Sequence, residues 1–198
     1  MFETALASAK RFAREEDGAF LIEFGLTFPV LILLSFGLLE FSLVVFDYQR
    51  AAEATRRGVR LAIIQEPIPN TTGLNPPDEG VPATTIVCTA PLGTVTCDGG
   101  SPSANADALW ADLLTEMRQA YPTLTDANVA VTFEGTMVGD PDDVGGVFPL
   151  VTVALVDVGH EMMVGQLIGI DRIPFPDFKA TVLGNGKWVN TAPPPKGT

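Results

Sequence analysis

The sequence predicts an α+β protein: one long N-terminal helix, able to cross a membrane and running on beyond it, joined to a small domain built on an antiparallel sheet. Three observations carry this expectation. An apolar run of about 27 residues from Phe20 to Phe46 (FLIEFGLTFPVLILLSFGLLEFSLVVF) holds only two charged residues. Helical spacing of small and apolar residues then continues to Gln65. Beyond that point, short stretches rich in Val, Thr and Phe alternate with Pro, Gly, Asn and Asp, the punctuation of strands and turns.

A chain of 198 residues has room for one ordinary domain and an appendage. Its formal net charge of -12 and pI near 4.3 give phosphates no electrostatic foothold, which sets nucleic acid aside. The charge is uneven. Met1–Leu61 is close to neutral, with Lys10, Arg11, Arg14, Arg50, Arg56, Arg57 and Arg60 against eight acids, and the remainder is strongly acidic. An acidic region that still contains many Val, Thr and Phe reads as a folded, extracytoplasmic, β-rich domain rather than a disordered tail.

The apolar run exceeds the about 20 residues that a helix needs to cross hydrocarbon. A secretory signal would have a core of about 7–15 apolar residues and a small-residue cleavage site, and no Ala-x-Ala pattern follows Phe46. The two charges inside the run are Glu23 and Glu40. An ionised carboxylate at mid-bilayer costs roughly 2.5–3.5 kcal/mol, so position matters. Glu40 falls about 30 Å beyond Phe20, in the opposite headgroup region, where it can snorkel to water. Glu23 lies one turn inside the near boundary, between Ile22 and Phe24, with no basic neighbour on the helix. It either reaches water as well or requires a partner from elsewhere. Pro29, within the span, is expected to free a carbonyl and kink the helix, which membrane helices tolerate.

The residues ahead of the run supply a candidate partner. Arg11-Phe12-Ala13-Arg14-Glu15-Glu16-Asp17-Gly18, followed by Ala19-Phe20-Leu21-Ile22-Glu23-Phe24, resembles a class III (prepilin) signal. In that signal a short polar leader ends in glycine, is cut on the cytoplasmic side, and leaves glutamate as the fifth residue of the mature chain. Glu15, Glu16 and Asp17 depart from the wider pattern, which favours a basic residue before the glycine. Cleavage between Gly18 and Ala19 would free an α-amine, protonated near neutral pH with a pKa of about 7.7–8.0. In a bundle of such helices, the amine of one subunit meets Glu23 of its neighbour, and an unpaired carboxylate in low dielectric disfavours every misregistered packing. Gly18 weakens the helix that would run on from Ala19, which suits a segment held extended in a protease cleft.

Glu23-Phe24, Pro29-Val30-Leu31, Phe36-Gly37, Glu40-Phe41 and the stretch from Gln49-Arg50-Ala51-Ala52 to Arg57-Gly58-Val59-Arg60 resemble the N-terminal region of the TadE/TadG family. These are minor pilin-like proteins, or pseudopilins, of the tight-adherence (Tad, Flp pilus) machinery, and the resemblance covers about residues 14–62. It implies a pilin-like architecture: a leader at 1–18, a transmembrane helix at 19–46, a periplasmic continuation at 47–66, a periplasmic α+β head at 67–190 and a structureless tail at 191–198. It also implies an N-terminus in the cytoplasm and a single pass through the inner membrane. Basic residues alone do not decide that orientation, with three before the span and four after it. The implied partners are other pilin-like subunits, a prepilin peptidase and an inner-membrane Tad platform, with surface adherence and biofilm formation downstream. Gly18 and Ala19 are then the cleavage positions, and Glu23 and Phe24 the residues of assembly and register. The protein is expected to be no enzyme and to need no cofactor. The main alternative is an uncleaved single-pass extracytoplasmic binding or sensor protein; a membrane-bound hydrolase using acids of the head is the other.

Past the bilayer, Tyr48, Ala51, Ala52, Thr55, Val59, Ala62 and Ile63 form one stripe of a helix expected to end before Pro67-x-Pro69. The opposite face carries Arg50, Glu53, Arg56, Arg57 and Arg60, with Glu53 placed to pair with Arg57. Glu66–Val81 reads as a linker. Thr84–Thr89 and Thr94–Cys97 read as a hairpin that can set Cys88 opposite Cys97, either as a disulfide or as two buried thiols. Asn105–Ala120 is a helix with Leu109, Leu113, Leu114 and Met117 inward, capped by Ser103 or Asn105. Asn128–Phe133, Leu150–Val158 and Phe178–Leu183 read as strands and Gly135–Gly146 as an acidic loop, while Gly159–Ile170 fits either a short helix or an irregular connection.

His160, the only histidine, precedes Glu161 but has no second His four residues on, so it makes no zinc-protease helix and reads as a surface or loop residue. No Gly-x-Ser-x-Gly elbow or phosphate loop appears, and Gly184-Asn185-Gly186 is a turn signal. Asp140, Asp142 and Asp143 lack the glycine and terminal glutamate of an EF-hand loop. Two cysteines without further Cys or His nearby make no metal site.

Overall fold

The computed structural model describes residues 16–71, 74, 82–140 and 146–184. The leader before Glu16, much of the linker, Asp142 and Asp143, Asn185 and Gly186, and the tail at 191–198 lie outside these residues. The predicted class holds: a long apolar helix is followed by a domain with an antiparallel sheet. Helix α1, Glu16–Ile64, runs without interruption through Pro29 and stops three residues before Pro67. Within its apolar stretch, the hydroxyls of Ser35 and Ser42 donate to the carbonyls of Leu31 and Leu38 at 2.8 and 2.9 Å, which satisfies them without water.

The fold divides into two compact units. One holds α1 as far as Val44 together with Met162–Asp171, and the other holds Val45–Glu161 and the chain from Arg172. In chain order the second unit contains β1 (Thr85–Thr89), β2 (Thr96–Asp98), helix α2 (Ala106–Ala120), β3 (Val129–Glu134), the two-residue strands β4 (Gly139–Asp140) and β5 (Gly146–Val147), β6 (Leu150–Leu155), β7 (Gly159–Glu161), β8 (Arg172–Pro174) and β9 (Phe178–Leu183). Five of these form an antiparallel sheet in the order β2-β1-β3-β6-β9.

Strand alternation builds the core. Val129, Val131 and Phe133 of β3, Val151, Val153 and Leu155 of β6, and Ile86 and Cys88 of β1 are all buried. In the same cluster, α2 contributes Trp110, Leu113, Leu114 and Met117, while α1 contributes Ala51, Ala54, Val59 and Ala62. On the stripe of α1, the buried Thr55 hydroxyl is satisfied by the Ala51 carbonyl at 2.9 Å. Small residues let α1 come close: a Cβ on buried Gly58 would stand 2.7 Å from Met117 Sδ. Tyr48, expected on the buried stripe, is 44% exposed, with its ring centroid 5.7 and 4.9 Å from those of Phe175 and Phe178. Arg57 Nε meets Glu53 at 3.1 Å, as their spacing predicts.

The hairpin forms with Cys88 opposite Cys97, and the two are joined as a disulfide across a turn that places Gly93 at φ 79°. Several expectations need correction. Asn105 occupies the N-cap of α2, but its side chain makes no capping bond; Asp107, in the first turn, accepts the Val95 amide at 2.8 Å instead. The strand from Leu150 ends at Leu155, because Asp157 takes φ 51° and turns the chain. The acidic loop contains the short strand pair β4 and β5. Gly159–Ile170 opens with strand β7, which neither alternative included, and then holds a short helix of the 3-10 kind at Gly165–Ile168.

Replacing both cysteines by serine is expected to lower stability by about 2–3 kcal/mol, the chain-entropy value for so short a loop, as read by denaturant titration of the detergent-solubilised chain. Gly58→Ala is expected to stay within about 1 kcal/mol of the parent, since its gain in helix propensity offsets a displaced Met117 thioether. Gly58→Leu should destabilise by about 2 kcal/mol or more in the same titration, with part of the loss recovered when Met117→Ala is added.

Candidate functional site

Gly18, Ala19, Glu23, Phe24 and Pro29 all lie on α1, within the first unit. Its apolar chains are turned outward rather than packed into a core of the protein's own: only 6% of the most apolar window is buried, at a mean hydropathy of 2.3. By length and composition this helix can cross a membrane. Phe20, Phe24 and Phe28 stack at one-turn intervals, with centroids 6.4 and 5.1 Å apart, and make an aromatic ridge. Glu23 stands exposed next to that ridge, and among the described residues it enters no ion pair. A Cβ at Gly18, Gly25 or Gly37 would meet nothing within 4 Å, so these positions leave the helix surface open to close approach.

Glu40 behaves differently from its sequence expectation. Instead of reaching water it is 5% exposed, and its carboxylate accepts three consecutive backbone amides from the turn that follows β7. Met163 and Val164 donate to Oε1, the latter at 2.9 Å, and Gly165 donates to Oε2 at 3.1 Å. Converging amides of this kind satisfy the acceptor capacity of a carboxylate without a cation. Sequence reasoning missed the contact because the two partners lie 123 or more positions apart. The only local signal was the charge-free stretch MMVGQLIGI between Glu161 and Asp171.

The second unit has a cleft of about 540 Å³, lined in part by Asp47, Tyr121, Asn128, Asp157, His160 and Arg172. His160 is therefore not a free surface residue: it lies on β7, its side chain is 13% exposed, and Nδ1 is 2.7 Å from Asp47 Oδ2. Arg172 donates to the Asp157 carboxylate at 3.0 Å and to the Asp157 carbonyl at 2.8 Å. The same carbonyl accepts Asn128 Nδ2 at 3.1 Å, and the Tyr121 hydroxyl donates to the Gly159 carbonyl at 3.1 Å. These polar groups bind one another and brace the β7–β8 hairpin.

Residues 18–60 match the family model described as TadE-like protein. No curated protein and no solved structure matches the sequence. The matched segment, 18–60, holds the apolar face, both glutamates, Pro29 and the arginines that follow.

Proposed function

We propose that the protein is a minor pilin or pseudopilin of a Tad (Flp-type) pilus machine, acting through its N-terminal helix. The TadE-like domain supports involvement in that machinery, and the observation that carries the finer reading is the open carboxylate of Glu23 on an otherwise apolar, outward-facing helix. A prepilin peptidase cuts between Gly18 and Ala19 on the cytoplasmic side, leaving α1 in the inner membrane and the head in the periplasm. The Ala19 amine so created is the cation that Glu23 lacks on its own helix. In a bundle, the amine of one subunit meets Glu23 of the next, while the ridge at Phe24 packs between neighbours on the inner-membrane platform. On this reading the head is structural, with His160 held against Asp47 and Arg172 against Asp157 in its cleft.

Intact mass and N-terminal sequencing of the membrane form are expected to show a chain beginning at Ala19; a retained Met1 favours the uncleaved anchor instead. Glu23→Gln is expected to reduce assembled pili roughly tenfold or more, as follows when one charge of a buried pair is left alone, with the variant still folded and present in the membrane. Phe24→Ala should reduce assembly less, because it removes packing area and leaves register intact. Counting surface pili by immunoblot of sheared fractions measures both effects.

A further inference from the structure

Met162–Ile170 has two properties that rarely coincide in a connection between strands. Its side chains are uncharged in a chain with 24 acids, and three of its large apolar ones face outward: Met163 is 82%, Leu167 77% and Ile170 45% exposed. Most of its backbone amides, by contrast, are engaged within the protein. Met163, Val164 and Gly165 donate to Glu40, Met162 donates to the Asp171 carbonyl at 2.9 Å, and Leu167, Gly169 and Ile170 donate to carbonyls within the turn at 3.0, 3.2 and 2.9 Å. Gly169 at φ 82° makes that closure possible, as does Gly165, where a Cβ would stand 2.6 Å from the Ile170 carbonyl oxygen. Apolar chains outside with satisfied amides inside is what hydrocarbon demands of non-helical backbone.

The position of the segment says what covers it. Glu40 lies six residues before the end of the apolar run, about 9 Å along the axis. The turn bonded to it therefore stands at a level where the exposed residues of α1, such as Phe41 and Leu43, are still apolar. Its face continues the surface of the helix that can cross a membrane, at the margin of the span and away from its middle.

We propose that Met162–Ile170 is a membrane-inserted wedge: a turn that enters the boundary of the bilayer at the C-terminal end of the apolar span, beside α1, with lipid acyl chains against Met163, Leu167 and Ile170 and with Glu40 as its positioning residue. The proposal rests on α1 spanning the bilayer; it does not depend on leader cleavage or pilus assembly.

Spin labels on single cysteines test it in the full chain, reconstituted into phosphatidylcholine/phosphatidylglycerol vesicles; the native cysteines are engaged with each other. Leu167→Cys is compared with Leu34→Cys in the middle of the span and with Leu92→Cys at the exposed tip of the β1–β2 hairpin. Accessibility to oxygen and to a water-soluble nickel chelate is read by power saturation. Labels at 34 and 167 are expected to favour oxygen and the label at 92 the chelate. A chelate-accessible label at 167 with a lipid-like label at 34 overturns the wedge alone, whereas a chelate-accessible label at 34 overturns the membrane-spanning reading beneath it. Shielding of residue 167 from both reagents means that protein covers it, which also overturns the proposal. Glu40→Gln presents an amide in place of a pure acceptor and is expected to abolish the lipid-like value at 167 while leaving that at 34 unchanged; if it leaves 167 unchanged, Glu40 does not position the wedge.

Discussion

Near the end of the apolar run of α1, the Glu40 carboxylate has no cation on its own helix, and its burial keeps water away. An isolated charge in such a place is costly enough to be neutralised or to force a rearrangement of its surroundings. Here the surroundings have been supplied by the chain itself, as three amides in a row. That requirement explains much about the Met162–Asp171 segment: why it closes as a 3-10 turn, and why glycine stands at 165 and 169. It also explains why the amides converge when their side chains diverge, since one carboxylate can accept several donors only if the backbone curls around it.

The same constraint gives opposite results at the two Glu-Phe pairs of α1. Glu40-Phe41 is answered within the molecule, while Glu23-Phe24 is exposed on the aromatic ridge. An acid satisfied internally contributes to the shape of its own chain. One left open on an apolar face stays unsatisfied until something else brings a donor. On the proposed assembly reading, the contrast assigns contact with another subunit to the N-terminal end of α1 rather than to its far end.

Elements with long periodic patterns were legible in the sequence. The apolar run and its amphipathic continuation specified α1, the Val- and Thr-rich alternations specified β3, β6 and β9, and the turn at Leu92 and Gly93 fixed a register that sets Cys88 opposite Cys97. What escaped was short or remote. Strands β7 and β8, paired over three residues each, are too brief for alternation to register. Ala54 and Gly58 contribute to the buried stripe by being small, which a search for apolar periodicity undervalues. The partners of Glu40 and His160 come from segments more than a hundred positions away, and no local rule reaches that far. The open surface near Glu23 was readable for the converse reason: the question it raises is local, an acid in an apolar helix with no base one turn away.

On the proposed assembly reading, register is the quantity that needs explaining, because apolar helices packed side by side in lipid gain little from one alignment over another one turn displaced. Phe20, Phe24 and Phe28 repeat along one face at every fourth residue, so an aromatic ridge by itself permits sliding. A single carboxylate removes that degeneracy. With a terminal amine opposite Glu23, only one axial offset pairs the charges, and each competing offset leaves both unpaired in low dielectric. The pair therefore needs to add little net stability to decide the arrangement, since its effect lies in the penalty borne by the alternatives.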